Sequence, residues 1–306
     1  MLKILSNIRK SSFWYSFSRD KLAITCSIII ATLFLCAAFA PWIAPHTPYD
    51  LETLDIMNST MPPIWQAESD PSFILGTDSQ GRDMLSTILY GMRISLIIGF
   101  AAVAFQAVVG IIIGLLAGYY GGRIDSVLMR LADIQLSFST MMVAIIILAI
   151  FQKTFGSELY SQFALFILIL VIGIAEWPKF ARTIRSSVLA EKQKEYVEAA
   201  KVMGVPTWCI MFKHILPNCL SPILVIGTVQ IAEAIITEAS LSFLGLGMPV
   251  DKPSLGSLIS SGFEYIFSGA WWITAIPGIV LVVLVLSVNL LGDWLRDYFN
   301  PKIYKD

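Results

Sequence analysis

Lys194-Glu195-Tyr196-Val197-Glu198-Ala199-Ala200-Lys201-Val202-Met203-Gly204-Val205-Pro206 begins the stretch that decides the fold, and Thr207-Trp208-Cys209-Ile210-Met211-Phe212-Lys213-His214-Ile215-Leu216-Pro217-Asn218 completes it. Residues 194–203 are good helix formers. Gly204 stands where a helix ends in the left-handed conformation that Gly adopts without steric cost. Pro206 suits the first turn of a second short helix, which can run to about Ile215 before Pro217. Two short helices joined at a tight corner are expected, with Ala199 and Ala200 small enough for another surface to approach closely. From the residues alone, an amphipathic connector resting on lipid headgroups fits equally well.

Outward from this elbow the chain turns apolar on both sides. A helix needs about 20 apolar residues to cross roughly 30 Å of hydrocarbon. Six stretches qualify: 22–44, 94–118, 130–151, 162–181, 221–244 and 272–295. The third and fifth are less clean, carrying Asp133 and Gln135, and Glu233 and Glu238. Composition agrees: 56% of the 306 residues are hydrophobic, 14% are charged and the mean hydropathy is +0.74, against about 25% charged in soluble domains. The first apolar run exceeds the 7–15 residues of a signal-peptide core, so it is expected to be a retained helix.

Lysine and arginine set the orientation. Seventeen of the 21 fall in segments that share a side with the N-terminus, and only Arg82, Arg93, Lys153 and Lys252 fall on the other. Both termini are therefore expected inside. The organisation follows: a cytoplasmic segment 1–21, a first membrane helix 22–44, an acidic extracytoplasmic loop 45–93, a five-helix core 94–296 containing the basic elbow loop at about 180–220, and a cytoplasmic tail 297–306. Leu295, Tyr298, Phe299 and Ile303 give the tail an apolar face for the inner membrane surface.

Several chemistries are excluded by what the chain lacks. A net charge of −1 offers no bulk basicity for nucleic acid. There is no GxxxxGK[ST] loop to cradle ATP phosphates and no GxSxG nucleophile. The two histidines, His46 and His214, have no metal-ligand spacing. Four cysteines without a CxxC pair suggest neither a disulfide framework nor a metal site.

Polar residues within apolar stretches are the remaining candidates. Gln230, Glu233, Thr237 and Ser240 recur at i, i+3, i+7 and i+10, on one helical face. An ionisable residue at membrane depth faces a water-filled cavity or a partner, so this face either lines a passage or hydrogen-bonds within the bundle. Glu238 lies about 90° off that stripe. In the outer loop, Gly76, Asp78, Gly81, Arg82 and Asp83 either shape an outer mouth or do local work. In the second case Asp78 and Asp83 cap turns while Gly76 and Gly81 supply backbone freedom. Glu176 can pair with Lys179, Asn289 reads as helix-packing glue, and Pro277-Gly278 marks a kink.

Taken together, Glu198-Ala199-Ala200, Gly204 and Ile215-Leu216-Pro217-Asn218 resemble the "EAA" loop of permease subunits of bacterial ATP-binding-cassette importers. Leu75-Gly76-Thr77-Asp78-Ser79-Gln80-Gly81-Arg82-Asp83, Glu238-Ala239-Ser240-Leu241-Ser242-Phe243-Leu244-Gly245-Leu246-Gly247 and Asn289-Leu290-Leu291-Gly292-Asp293-Trp294-Leu295-Arg296-Asp297 look like the peptide/opine/nickel branch of that family, in its C-type half. The likeness covers about residues 20–302, with one departure at Phe299-Asn300-Pro301, where the family has Leu-Asp-Pro.

The resemblance implies an all-α integral membrane fold with six transmembrane helices, of the type I importer (MetI-like) kind, in the bacterial inner membrane. It implies a non-catalytic chain forming half of a path for di- or oligopeptides, with nickel chelates, opine-type metallophores, glutathione or antimicrobial peptides as alternative cargo. It also implies docking of an ATPase subunit at Glu198, Ala199, Ala200, Gly204 and Pro217. The partners implied are a second, B-type permease as heterodimer, two ATPase subunits holding ATP and Mg, an extracytoplasmic binding protein and membrane lipid. A self-sufficient secondary transporter, which needs no coupling loop, and a membrane enzyme are the rival classes.

Overall fold

The computed structural model describes residues 12–49, 55–67, 69–249 and 251–299. Lys3, Arg9 and Lys10 of the basic N-terminus, Asp50, Glu52 and Glu68 of the acidic loop, and Ile303 of the tail lie outside them. The elements in order are α1 (Ser12–Arg19), α2 (Lys21–Ala38), α3 (Met84–Tyr120), α4 (Gly122–Ser137), α5 (Thr140–Gly156), α6 (Glu158–Glu191), α7 (Glu195–Val202), α8 (Leu220–Phe243), α9 (Leu255–Phe263) and α10 (Trp272–Phe299). Among the described residues there is no strand, only an isolated bridge between Thr77 and Asp83. Five helical stretches are long and apolar enough to cross a membrane, and the bent pair α4–α5 makes a sixth.

Helix α3 is the centre of the bundle, packed on α6 and α8. Lipid gives helices no hydrophobic reason to associate, so close backbone approach through small residues takes over. Gly110, Gly114 and Gly118, four apart on one face of α3, abut Phe180, Ala181, Ile184 and Val188 of α6. A Cβ on Gly114 would stand 2.6 Å from the Ala181 carbonyl oxygen. Deeper polar contacts add to this seam: buried Gln106 of α3 donates to the Ile172 carbonyl at 3.3 Å. Large apolar side chains such as Ile28, Val108, Phe166 and Val282 stay more than half exposed, as suits a surface facing lipid or another membrane subunit.

Three expectations need correction. The apolar stretch 130–151 is not one straight helix, because α4 and α5 meet at 84° across Phe138 and Ser139. The cause lies in α4: Asp125 and Asp133 pair with Arg185 and Arg182 of α6, which holds α4 along the basic end of that helix. Helix α3 begins at Met84 rather than 94, because the Asp83 carboxylate accepts from the Ser86 N–H and caps it; the outer loop therefore ends at Asp83. Helix α6 runs ten residues past 181 and carries Pro178 inside it.

Candidate functional site

The elbow after α6 forms as its sequence requires. Helix α7 closes with Gly204 at φ +74°. The Gly204 N–H donates to the Lys201 carbonyl at 3.0 Å and the Val205 N–H to the Ala200 carbonyl at 3.1 Å, the paired bonds that end a helix on a left-handed residue. Beyond the corner the helix is less regular than expected. One α turn (Thr207–Cys209) widens into a π-helical turn (Ile210–Ile215) and tightens to a 3₁₀ turn (Leu216–Cys219) before α8. Pro217, lacking an N–H, cannot continue the ladder from the preceding turn.

Hydrogen bonds tie the two ends of this loop together. The Tyr196 hydroxyl donates to Glu191 at 2.7 Å, while the Asn218 amide donates to the Tyr196 oxygen at 3.1 Å and the His214 carbonyl at 2.8 Å. Burial first, and then the Glu191 carboxylate, push the Tyr196 hydroxyl up to about 12, so it remains a donor at neutral pH. Val197 and Ala200 turn inward onto Ile210, Met211 and Ile215. Ala200 is only 2% exposed, so it packs the elbow against its own chain and is not available to a docked surface. Glu198, Ala199, Gly204 and Pro217 are exposed. Around them stand Val202 at 89%, Met203 at 74% and Trp208 at 63% exposure, with Phe212 stacked on Trp208. These apolar tips, absent from the sequence-based candidates, make the elbow an adhesive surface.

The four-residue stripe on α8 divides. Gln230 lies about 60° round the helix from Glu233, is buried, and donates to Gln106 Oε1 at 3.2 Å. It is bundle glue rather than part of an open face. Glu233, Thr237 and Ser240 remain partly exposed. Glu233 pairs with Lys179 of α6, which also meets Glu176 at 2.8 Å, and Glu176 accepts from Thr140 at the start of α5.

Glu238 anchors a second network, fully buried. Its oxygens accept from Ser95 of α3 at 2.9 Å and Ser242 at 2.7 Å. The Leu255 N–H, at the start of α9, donates to Ser95 at 3.3 Å. Ser95 carried no signal of its own, since a serine in an apolar helix shows its use only when the facing helix is known.

The outer-loop residues do local work. Gly76, Asp78, Gly81, Arg82 and Asp83 are all buried, so they do not line a mouth in this chain. Asp78 accepts from the Gln80 and Arg82 N–H groups and from Arg82 Nε at 2.6 Å. Gly76 and Gly81 sit at φ +77° and +79°, each with a carbonyl oxygen within 2.4 Å of where a Cβ would stand. The Trp272 indole donates to the Thr77 carbonyl at 3.3 Å, fastening this knot to the start of α10.

The chain is thus a bundle of helices long and apolar enough to cross a membrane, with a hydrogen-bonded, apolar-tipped elbow between α6 and α8. Two inward-facing crystal forms of the MetNI methionine ABC transporter share the fold of the bundle, with TM-scores of 0.55 and 0.54, covering 71% of this chain and 98% of theirs. At 19% and 22% identity they establish the fold alone. Residues 110–305 match the family of binding-protein-dependent transport system inner membrane components, and residues 11–63 match the N-terminal membrane domain of oligopeptide transport permease C. The di/tripeptide permease protein DppC of Pseudomonas aeruginosa is 37% identical over 95% of this chain and 91% of its own length. Dipeptide permease DppC of Escherichia coli is 36% identical over 95% and 92%. The chain belongs to the binding-protein-dependent transport system inner membrane component family, and is a multi-pass permease subunit of the ABC importer type.

Proposed function

We propose that this chain forms one half of the path by which an ATP-driven importer moves di- or oligopeptides across the bacterial inner membrane. The elbow carries the reading: a short helix fixed at both ends by hydrogen bonds, presenting Glu198, Ala199, Val202, Met203 and Trp208 outward. A floppy loop could not transmit the closure of an ATPase, whereas a capped helix can. The peptide cargo follows the names of the two relatives given above, a di/tripeptide and a dipeptide permease. ATP and Mg²⁺ would be held by two partner ATPase subunits, a B-type permease would complete the path, and an extracytoplasmic binding protein would deliver the cargo. The Lys and Arg distribution supports cytoplasmic termini, which puts the elbow on the ATPase side.

The test is affinity purification of the tagged chain from gently solubilised membranes, wild type beside Glu198→Arg, with co-eluting subunits identified. Wild type should retain a second permease and ATPase subunits, and the variant should lose only the ATPases. A wild-type chain that elutes alone, where known complexes hold together, would make a self-sufficient transporter the leading reading.

A further inference from the structure

We propose that Glu233 and its partner Lys179 form a way-station on the passage, where Glu233 receives the α-ammonium group of the peptide; this rests on the peptide-importer reading above. Lys179 and Glu233 are 33% and 45% exposed, while Glu176 is nearly buried. Charges left open on a membrane helix do not face lipid, so this face of α6 and α8 turns toward water or a polar partner. The triad holds two carboxylates against one ammonium, leaving one formal negative charge to attract a cation. Among the described residues, Glu233 engages Lys179 through Oε2 alone, and no hydrogen bond occupies its Oε1.

Further along α8 lies an apolar cleft of about 510 Å³. Ser240 of α8 lines that cleft, two turns and about 10 Å along the helix from Glu233. Met141 of α5 lines it from the other wall, and the preceding residue, Thr140, is the one bonded to Glu176. Ile236, Ala239, Phe243, Leu244, Ile259 and Leu281 make the rest of its lining apolar. A short peptide presents this combination: a fixed ammonium at one end and variable, often apolar, side chains close by. Glu233 reads what all such peptides share, and the cleft tolerates what differs. Displacing Lys179 from Glu233 costs that lysine little, because Glu176 still holds it.

The complete importer, reconstituted in vesicles with its binding protein, provides the test. Two variants separate charge from packing: Glu233→Gln, and the paired Lys179→Met/Glu233→Leu, in which no lone charge is left behind. Both should assemble, hydrolyse ATP and keep the wild-type KM, which the binding protein sets. Peptide imported per ATP should fall at least tenfold, and Glu233→Asp should retain more than half. Wild-type import per ATP by the paired variant would overturn the proposal and reduce the triad to an interhelical tie. Loss of the second permease from the paired variant would also overturn it, assigning this face to the permease interface. A wild-type importer that moves no peptide would overturn the cargo reading itself, and the way-station with it.

Discussion

Replacing Gly204 isolates the corner of the elbow from everything else in the molecule. At φ +74° an L-residue with a Cβ is strained, yet that Cβ would meet nothing within 4 Å. The penalty is therefore one of backbone alone, about 1–2 kcal/mol for a left-handed L-residue. Since 1.4 kcal/mol is tenfold, the equilibrium between the docking geometry and a relaxed corner should shift roughly 5- to 30-fold toward the relaxed one. Asn tolerates this conformation better than other side chains, and a β-branched residue tolerates it worst. Affinity for the ATPase subunit should thus fall in the order Gly, Asn, Ala, Val, while the permease loses no more thermal stability than this local strain, because no core packing is touched. The assay is binding of purified ATPase subunit to the solubilised permease, followed by vesicle import. Wild-type ATPase affinity and import in Gly204→Val would refute the argument that the corner sets the docking geometry.

Other outcomes follow from the same geometry. Gly114→Val should lower the melting temperature of the purified permease, overpacking costing about 1–3 kcal/mol, whereas Gly227→Ala, with open space where its Cβ would stand, should not. Asp78→Ala breaks an ion pair whose members are 0% and 3% exposed and should cost about 3–5 kcal/mol, read as lost folded yield. Glu238→Leu strips the acceptor from two serine hydroxyls and should destabilise by about 1–3 kcal/mol. Trp208→Ala should weaken ATPase binding without altering membrane insertion, measured by co-purification.

The sequence announced α8 almost to the residue, 221–244 against Leu220–Phe243, because Pro217-Asn218 and Gly245-Leu246-Gly247 bracket a largely apolar stretch in which Glu233 and Glu238 are isolated. Gly204 was legible for a similar reason: helix termination is local chemistry. The bend between α4 and α5 was not legible, since hydropathy averages over Asp133 to Ser139 while the ion pairs that lay α4 down reach 49 and 60 residues ahead. Gln230 follows the second of the two readings of its stripe, a hydrogen bond within the bundle, and α8 alone could not decide it because its partner Gln106 sits 124 residues away. Ala200 and Ala199 look alike in sequence, and only the packing of Ile210 and Met211 against α7 separates them. Gly110, Gly114 and Gly118 recur every four residues in the sequence, and the use of that spacing shows only beside α6.

The glycine seam has a mechanical consequence. At 34 residues, α6 is about 51 Å long, and with its neighbour pressed against it the pair behaves as a stiff beam rather than two independent rods. A tilt of about 5° at the elbow would sweep the far end of such a beam through ~4 Å, enough to widen or narrow a passage by a side chain's breadth. Widening the seam by one methyl would soften the beam. Force applied at the elbow would then be absorbed as bending, and ATP could be spent with little motion arriving where the cargo waits.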